Sequence, residues 1–181
     1  MTNLNDLGTE YTTFPIHFGG NGGYGVKVIA TEDNTDVSIP AFSADVTLDM
    51  GEFYEVDNTV TVFGFRVSCS KPCMVVQYVR ALPSGGNTGL AMPAFLAVLA
   101  PDQEASNNLI FTVPSLIDFS STSRAAISII MNTNPVTGLY LNTTSLNNLN
   151  WMATEDSTKW YATVEIPAGF YQLYSTEPSE R

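Results

Sequence analysis

Polar and apolar residues alternate along most of this chain with a period of two, the pattern of β-strands that have one face in a core. In residues 46–50, for example, Val46, Leu48 and Met50 are the apolar positions and predict one buried face. Glycine, proline and asparagine separate runs of this kind, as turns between strands require. The pattern predicts roughly 11 to 13 strands. The other clear runs are residues 9–18, 26–30, 35–39, 53–56, 63–67, 73–79, 109–113, 125–131, 138–141, 160–166 and 170–174.

The predicted fold is all-β. Many short strands with short connections are typical of a β-sandwich that is mostly antiparallel. The chain has 181 residues, of which 44% are apolar. It is therefore long enough for one large domain or two small ones, and it can fill a core without a cofactor.

An internal echo predicts how the chain is divided. Residues 28–39 and 129–141 each contain two predicted strands around an asparagine-containing turn. The Phe-Tyr-Glu-Val sequence of residues 53–56 is likewise similar to the Phe-Tyr-Gln-Leu sequence of residues 170–173. We expect two packed β-modules, 1–110 and 111–181, the second incomplete and lacking its own version of residues 63–79. Chance similarity between threonine-rich strands, in a single domain, is the alternative.

Residues 63–79 form the predicted centre of the first module. Phe63, Phe65 and Val67 alternate with smaller or polar residues, a Ser-Lys-Pro turn signal follows at residues 70–72, and a run rich in valine and tyrosine comes next. This order predicts a β-hairpin whose second arm is buried on both faces.

The two cysteines of the protein, Cys69 and Cys73, flank that turn. If the two arms pair, their Cα atoms come within the roughly 4.4 to 6.8 Å that a disulfide requires. A structural disulfide is the favoured interpretation, and buried free thiols are the alternative. A redox or metal pair has less support, because the spacing is not Cys-x-x-Cys and neither a second cysteine pair nor a nearby histidine accompanies it.

The chain is strongly acidic, with 18 acidic and 7 basic residues and a formal charge of -11. This balance argues against nucleic acids and anionic membranes as partners, since both select basic patches. No apolar run is long enough to span a bilayer, so membrane insertion is not expected. The first residues do not resemble a signal peptide. The chain is then either cytosolic or part of a longer secreted protein, and we favour the second.

Glu32, Asp33, Asn34 and Asp36 crowd one predicted turn. Oxygen ligands in a loop are what calcium requires, and carboxylates also attract cationic partners. Aspartate and asparagine are, however, ordinary turn formers, and the spacing is not that of a known calcium loop. A solvated turn is the favoured interpretation, with contact to calcium or to a cationic partner as the alternative.

Catalytic constellations are not apparent. His17 is the one histidine of the chain and has no nucleophile beside it, so no Ser-His-Asp or Cys-His arrangement is predicted. Many pairs of acidic residues exist, but nothing in the sequence selects one for glycoside hydrolysis. Asn142 begins the one N-glycosylation sequon, which would place that loop at the surface of a secreted eukaryotic protein.

A series of motifs resembles the amino-terminal domain family of IgG-Fc-binding proteins. The motifs that carry it, in order, lie at residues 8–11, 28–39, 46–56, 67–76, 92–93, 99–104 and 108–114. The resemblance covers nearly the whole chain. It implies a secreted, non-enzymatic module of a mucus-type, matrix or cell-surface protein, with neighbouring domains in a longer chain.

The sequence therefore predicts a non-catalytic adhesion module that binds a protein or a glycan. The alternative is a purely structural or self-assembling β-unit of a matrix, a surface appendage or a virus. An enzyme is the least supported class of function.

Overall fold

The computed structural model describes residues 7–15, 24–58, 63–79, 95–114, 125–132 and 138–176. Nearly all regular structure in these residues is β-strand, and the strands form antiparallel sheets. The prediction of an all-β, antiparallel fold is confirmed. The chain divides into two compact units, Met1–Glu104 and Ala105–Arg181.

Within the described residues, the first unit contains one sheet of seven strands and two one-turn 3-10 helices, Pro40–Phe42 and Asp102–Glu104. Its strands are β1 Gly8–Thr12, β2 Tyr24–Ala30, β3 Thr35–Ile39, β4 Ala44–Leu48, β5 Phe53–Asn58, β6 Arg66–Val79 and β7 Phe95–Val98.

The second unit contains two smaller sheets, ordered β11-β10-β14-β8 and β12-β13-β9. Its strands are β8 Asn108–Val113, β9 Ala125–Met131, β10 Leu139–Leu141, β11 Thr144–Ser145, β12 Met152–Ala153, β13 Trp160–Ile166 and β14 Gly169–Ser175. Branched side chains from both sheets fill its core, including Val113, Ile129, Leu139 and Ile166.

The predicted hairpin at residues 63–79 is wrong. The segment forms one strand, β6, which keeps its direction through the Ser-Lys-Pro sequence. Along β1, Glu10 pairs with Ser68 and Gly8 pairs with Cys73, and Cys69 still pairs with β3, so residues 70–72 bulge out of the sheet. Because proline cannot donate to a ladder, Pro72 is well suited to such a bulge.

The bulge divides β6 into two halves with different partners. Ser68 pairs with β1 on one side and β3 on the other, and Cys73 pairs with β1 on one side and β2 on the other. Strands β2 and β3 therefore follow one another along the same edge of β6. In turn, β5 pairs with β2 and β4 pairs with β3. Three neighbouring chain segments thus run alongside each other, and each is interrupted once.

The three interruptions, residues 31–34, 49–52 and 70–72, bond to one another. The Lys71 ammonium and the Thr31 hydroxyl donate to the carbonyl oxygens of Asp33 and Pro72. The Ala30 carbonyl oxygen accepts the N–H of Gly51 at 2.9 Å. These bonds supply partners for backbone groups that the regular ladder leaves at each break.

A disulfide closes the bulge of β6. The sulfur atoms of Cys69 and Cys73 lie 2.13 Å apart and their Cα atoms 6.4 Å apart, so the predicted disulfide is confirmed. Cys73 is fully buried and Cys69 nearly so. The crosslink shortens the span between the two halves of β6, so that the strand continues after three looped-out residues.

Tyr11 fixes the same bulge from the core. Its side chain is fully buried, and its hydroxyl donates to the Cys73 carbonyl oxygen at 2.5 Å and accepts the Gly8 N–H at 2.9 Å. Burial raises the pKa of the Tyr11 hydroxyl, the Gly8 bond lowers it by a smaller amount, and the negative charge of Asp102 adds to the increase. Tyr11 therefore stays neutral in the folded protein where an exposed tyrosine ionises.

We expect Tyr11→Phe to lower the free energy of unfolding by about 1–2 kcal/mol near neutral pH, because two buried polar groups lose their partner. Above the ordinary tyrosine pKa of 10.0, the unfolded chain releases this proton before the folded chain does. Stability of the wild type therefore falls as the pH rises through this range, and Tyr11→Phe reduces the fall. Urea titrations between about pH 8 and pH 11 measure both effects. Tyr140→Phe in the second unit is the control. If the free energy of unfolding fell equally with pH in the wild type and in Tyr11→Phe, the raised pKa of Tyr11 would be contradicted.

Reducing the disulfide should lower the free energy of unfolding by about 2 kcal/mol, the value expected for so short a closed loop. Alkylation followed by mass spectrometry should label neither cysteine before reduction and both after it. The variant with Cys69→Ala and Cys73→Ala should not respond to reductant. Two labelled cysteines in the unreduced protein would disprove the crosslink.

Candidate binding surface

A polar face is formed by β3, β4 and the first half of β6. Strand alternation turns Val37 and Ile39 into the core and Asp36 and Ser38 outward. We call this surface the acidic face and define it by its outward side chains, Asp36, Ser38, Asp45, Thr47, Ser68 and Ser70. Together with Val37, Val46 and Cys69 they line an open depression of about 420 Å³.

Cross-strand hydrogen bonds hold the two carboxylates of the acidic face. The Thr47 hydroxyl donates to Asp36 Oδ1 at 2.7 Å, and the Ser38 hydroxyl donates to Asp45 Oδ1 at 2.6 Å. Each pair lies directly opposite in the β3–β4 register. Among the residues that the structure describes, Oδ2 of Asp36 and of Asp45 receives no donor. The face thus presents two oriented carboxylate oxygens that are available to a ligand.

The residues predicted to contact calcium or a cationic partner lie in two different places. Asp33 Oδ1 accepts the Met50 N–H at 3.0 Å, and Asp49 Oδ1 accepts the Asn34 N–H at 3.2 Å. These bonds are those of aspartates that cap turns, and Asn34 has the positive φ of 55° that such turns use. Asp36 lies on β3 instead, in the acidic face. Within the described ranges, no group of three or more His, Cys, Asp or Glu side chains is placed to hold a metal ion.

The charge around this face is mostly negative, although Lys71 lies at the neighbouring bulge of β6. Residues 31–52 contain six carboxylates and neither lysine nor arginine. All six are exposed: Glu32, Asp33, Asp36, Asp45, Asp49 and Glu52. A surface of this kind attracts cationic groups and repels phosphates.

Two large apolar side chains are exposed beside these acids, and the sequence did not predict them. Met50 is 68% exposed and Phe53 is 53% exposed. Met50 was expected to continue the core positions of β4, but β4 ends at Leu48 and Met50 lies in the interruption that follows. The Lys27 ammonium lies 4.1 Å from the Phe53 ring centroid. Exposed aromatic and methionine side chains are enriched at protein interfaces.

Asn142 lies in the turn between β10 and β11 and is exposed. Its Oδ1 accepts the Gln172 N–H at 2.8 Å, which orients the side-chain amide. The side-chain nitrogen is the atom that a glycan would modify. Glycosylation at Asn142 stays a prediction. His17 lies outside the described residues.

Comparison with known proteins supports one relationship. The family model described as IgGFc binding protein matches residues 1–180. Neither the curated proteins nor the solved structures include a match. In the described part of the chain, no helix has the length and apolar character needed to cross a membrane. The matched family is one of binding domains. Because the match spans essentially the whole chain, this protein belongs to the IgGFc-binding protein family.

Proposed function

We propose that this protein is an extracellular, non-catalytic module that binds a cationic protein surface through its acidic face, as one part of a larger mucin-like protein. Membership of a family of binding domains supports the general role. The observation that carries the choice of surface is the pair of oriented carboxylates, Asp36 and Asp45, in the depression between β3, β4 and β6.

An extracellular location is supported by the disulfide between Cys69 and Cys73. Disulfides persist in oxidising compartments and are rare in the cytosol. The crosslink also lies at the edge of the depression, because Cys69 is one of its lining residues. It therefore stabilises the strand geometry on which the acidic face depends.

The chemistry of the face favours lysine or arginine side chains as the groups that are bound. Carboxylates whose hydroxyl partners already hold them in place lose little side-chain entropy when an ammonium or guanidinium group binds. Exposed Met50 and Phe53 supply apolar contact area near the acids. Interfaces combine such apolar anchors with charges that steer association. A glycan, which would bond to the serine and threonine hydroxyls, is the second class of ligand.

A structural, self-assembling role is a second candidate function, and a feature of the second unit favours it. Ile110 on β8 is 58% exposed and Phe170 on β14 is 67% exposed. Phe170 pairs with Thr112, and Gln172 pairs with Ile110, so both apolar side chains lie on the same face of the sheet. Exposed apolar groups next to an edge strand promote association between copies.

Replacing the two carboxylates should weaken binding without unfolding the protein. In Asp36→Asn with Asp45→Asn, the acceptor oxygens for Thr47 and Ser38 are retained, while two negative charges are lost. The first probe is purified IgG Fc fragment, and the second is a mucin glycan array. We expect the double variant to bind Fc at least about tenfold more weakly than the wild type does, a difference equivalent to about 1.4 kcal/mol. Biolayer interferometry at two salt concentrations measures the effect and its screening.

The matched control carries Glu104→Gln and Glu165→Gln, which remove the same charge elsewhere on the chain. Equal weakening by both double variants would show that net charge, and not this face, is responsible. Binding of Fc that neither variant changes would place the interface elsewhere, and binding to glycans alone would replace a protein ligand by a sugar.

If the second candidate function holds, sedimentation velocity should show assembly that grows with protein concentration. Replacing Ile110 by Thr and Phe170 by Ser should then return the protein to a monomer, because the shared apolar face is lost. Leu96→Thr, which removes an exposed apolar side chain from the first unit, is the control. A monomer over the whole concentration range would contradict self-assembly.

A further inference from the structure

The loop that the disulfide closes lies opposite residues 31–36, which form the turn after β2 and the start of β3. Cys73 pairs with Ala30, the last residue of β2, and Cys69 pairs with Val37 in β3. The disulfide holds the Cα atoms of the two cysteines 6.4 Å apart. It therefore helps to set the separation of the two points between which residues 31–36 run.

The three looped-out residues of β6 each form a hydrogen bond with this segment: Ser70 with Asp36, Lys71 with Asp33, and Pro72 with Thr31. The bond of Ser70 bears directly on the acidic face, because Asp36 belongs to that face. The Asp36 N–H donates to Ser70 Oγ at 2.8 Å, while the Asp36 carboxylate accepts the Thr47 hydroxyl. Asp36 is thus positioned from two sides, by β4 and by the loop that the disulfide closes.

Strand β6 has partners on both sides of its bulge that do not depend on the disulfide. It pairs with β1 and β3 before the bulge and with β1 and β2 after it. The Tyr11 hydroxyl, which donates to the Cys73 carbonyl oxygen, is likewise independent of the sulfur atoms. We therefore expect cleavage of the disulfide to leave β6 in its sheet and to release residues 70–72.

Two features favour reduction of this disulfide in the folded protein. Cys69 is nearly buried but lines the open depression, whereas Cys73 is fully buried, so a reductant reaches the crosslink from the Cys69 side. The sequence separation of the two cysteines is only 4. In the chain-entropy model a disulfide stabilises the fold least when its loop is short, and by the same thermodynamic cycle folding then protects the disulfide least against reduction.

We propose that the disulfide between Cys69 and Cys73 is a redox switch of the acidic face that a dithiol opens. One thiolate of the dithiol attacks the Cys69 sulfur and forms a mixed disulfide, and the Cys73 sulfur leaves and takes up a proton. The second thiol of the reductant then displaces Cys69, so that the dithiol becomes a disulfide and two electrons and two protons pass to the protein.

Opening the switch changes the position of one acid. The released loop no longer holds Ser70 against the Asp36 N–H, and the acidic face then binds cationic groups more weakly, because Asp36 must be ordered when the ligand binds. The effect on binding rests on the proposed function, whereas the release of the loop does not.

Backbone NMR relaxation of the full chain tests the release of the loop. Dithiothreitol should lower the order parameters of the Asp36 and Ser70 amides from about 0.85 to below about 0.6, the values of rigid and flexible backbone. Val28, which pairs with Tyr54 and Val75 outside the loop, should keep its value. Oxidised glutathione should restore the original values.

Three results of this experiment would overturn the proposal. The first is an unchanged order parameter of Asp36 in the reduced protein. The second is loss of order at Val28, because the crosslink would then hold the whole fold and would not act as a switch. The third is failure of dithiothreitol to reduce the folded protein, as shown by alkylation and mass spectrometry.

Binding of hexa-arginine, a cationic probe without cysteine, tests the effect on the acidic face. Reduction should weaken binding by at least about fivefold, as measured by isothermal titration calorimetry. Equal affinity in both redox states would overturn control of the face and leave the proposed function intact. No binding in either state would contradict the proposed cationic ligand and with it the effect on binding, and the order parameters would still decide whether the loop is released.

Ser70→Ala tests whether the loop acts through Asp36. This variant keeps the disulfide but removes the acceptor of the Asp36 N–H. The oxidised variant should bind hexa-arginine within about twofold of the reduced wild type, and dithiothreitol should change its affinity little. Ser106→Ala, which removes a serine hydroxyl from the second unit, is the control and should respond to dithiothreitol as the wild type does. A response of Ser70→Ala equal to that of the wild type would overturn the proposal.

Discussion

The fold of the first unit depends on one strand, β6, which is interrupted once and continues in the same direction. Strand β6 carries a three-residue bulge, residues 70–72, yet it must pair with β3 before the bulge and with β2 after it. The disulfide between Cys69 and Cys73 shortens that span, and the buried hydroxyl of Tyr11 bonds to the Cys73 carbonyl. The neighbouring segments are interrupted at the same level, so each break supplies hydrogen-bond partners for the next. An interruption in only one of the three segments would leave backbone groups unpaired, because the ladder on either side would be out of step.

The acidic face is a consequence of this arrangement. Breaks in neighbouring strands require residues that form turns, and aspartate and asparagine are among the best. Several acidic residues are therefore concentrated at the neighbouring interruptions. There, Asp33 and Asp49 each accept a backbone N–H from the other's turn. The strands just beyond the breaks place Asp36 and Asp45 opposite hydroxyl partners. The same turns expose Met50, because a residue at the tip of a turn has no neighbouring strand to cover it. A surface for recognition thus arises from residues whose first role is structural.

The second unit shows what the continuation of β6 does. Where residues 73–79 are present, two halves become one sheet with a long central strand. In the described residues of the second unit, no strand of this kind joins the two smaller sheets.

The sequence by itself determined the strands, the charge, the family and the closeness of the two cysteines. Alternation of side chains is a local property, and two cysteines separated by three residues remain near each other in most backbone conformations. Only the tertiary structure decided that residues 63–79 form one strand and not a hairpin, because a Ser-Lys-Pro sequence is equally compatible with a tight turn and with a bulge. The choice depends on whether the two arms pair with each other or with β1, β2, β3 and β7, which lie far away in the sequence. The exposure of Met50 was likewise undecidable from alternation, which does not show where β4 ends. Non-local hydrogen bonds and packing settled both questions, and a local pattern contains no information about them.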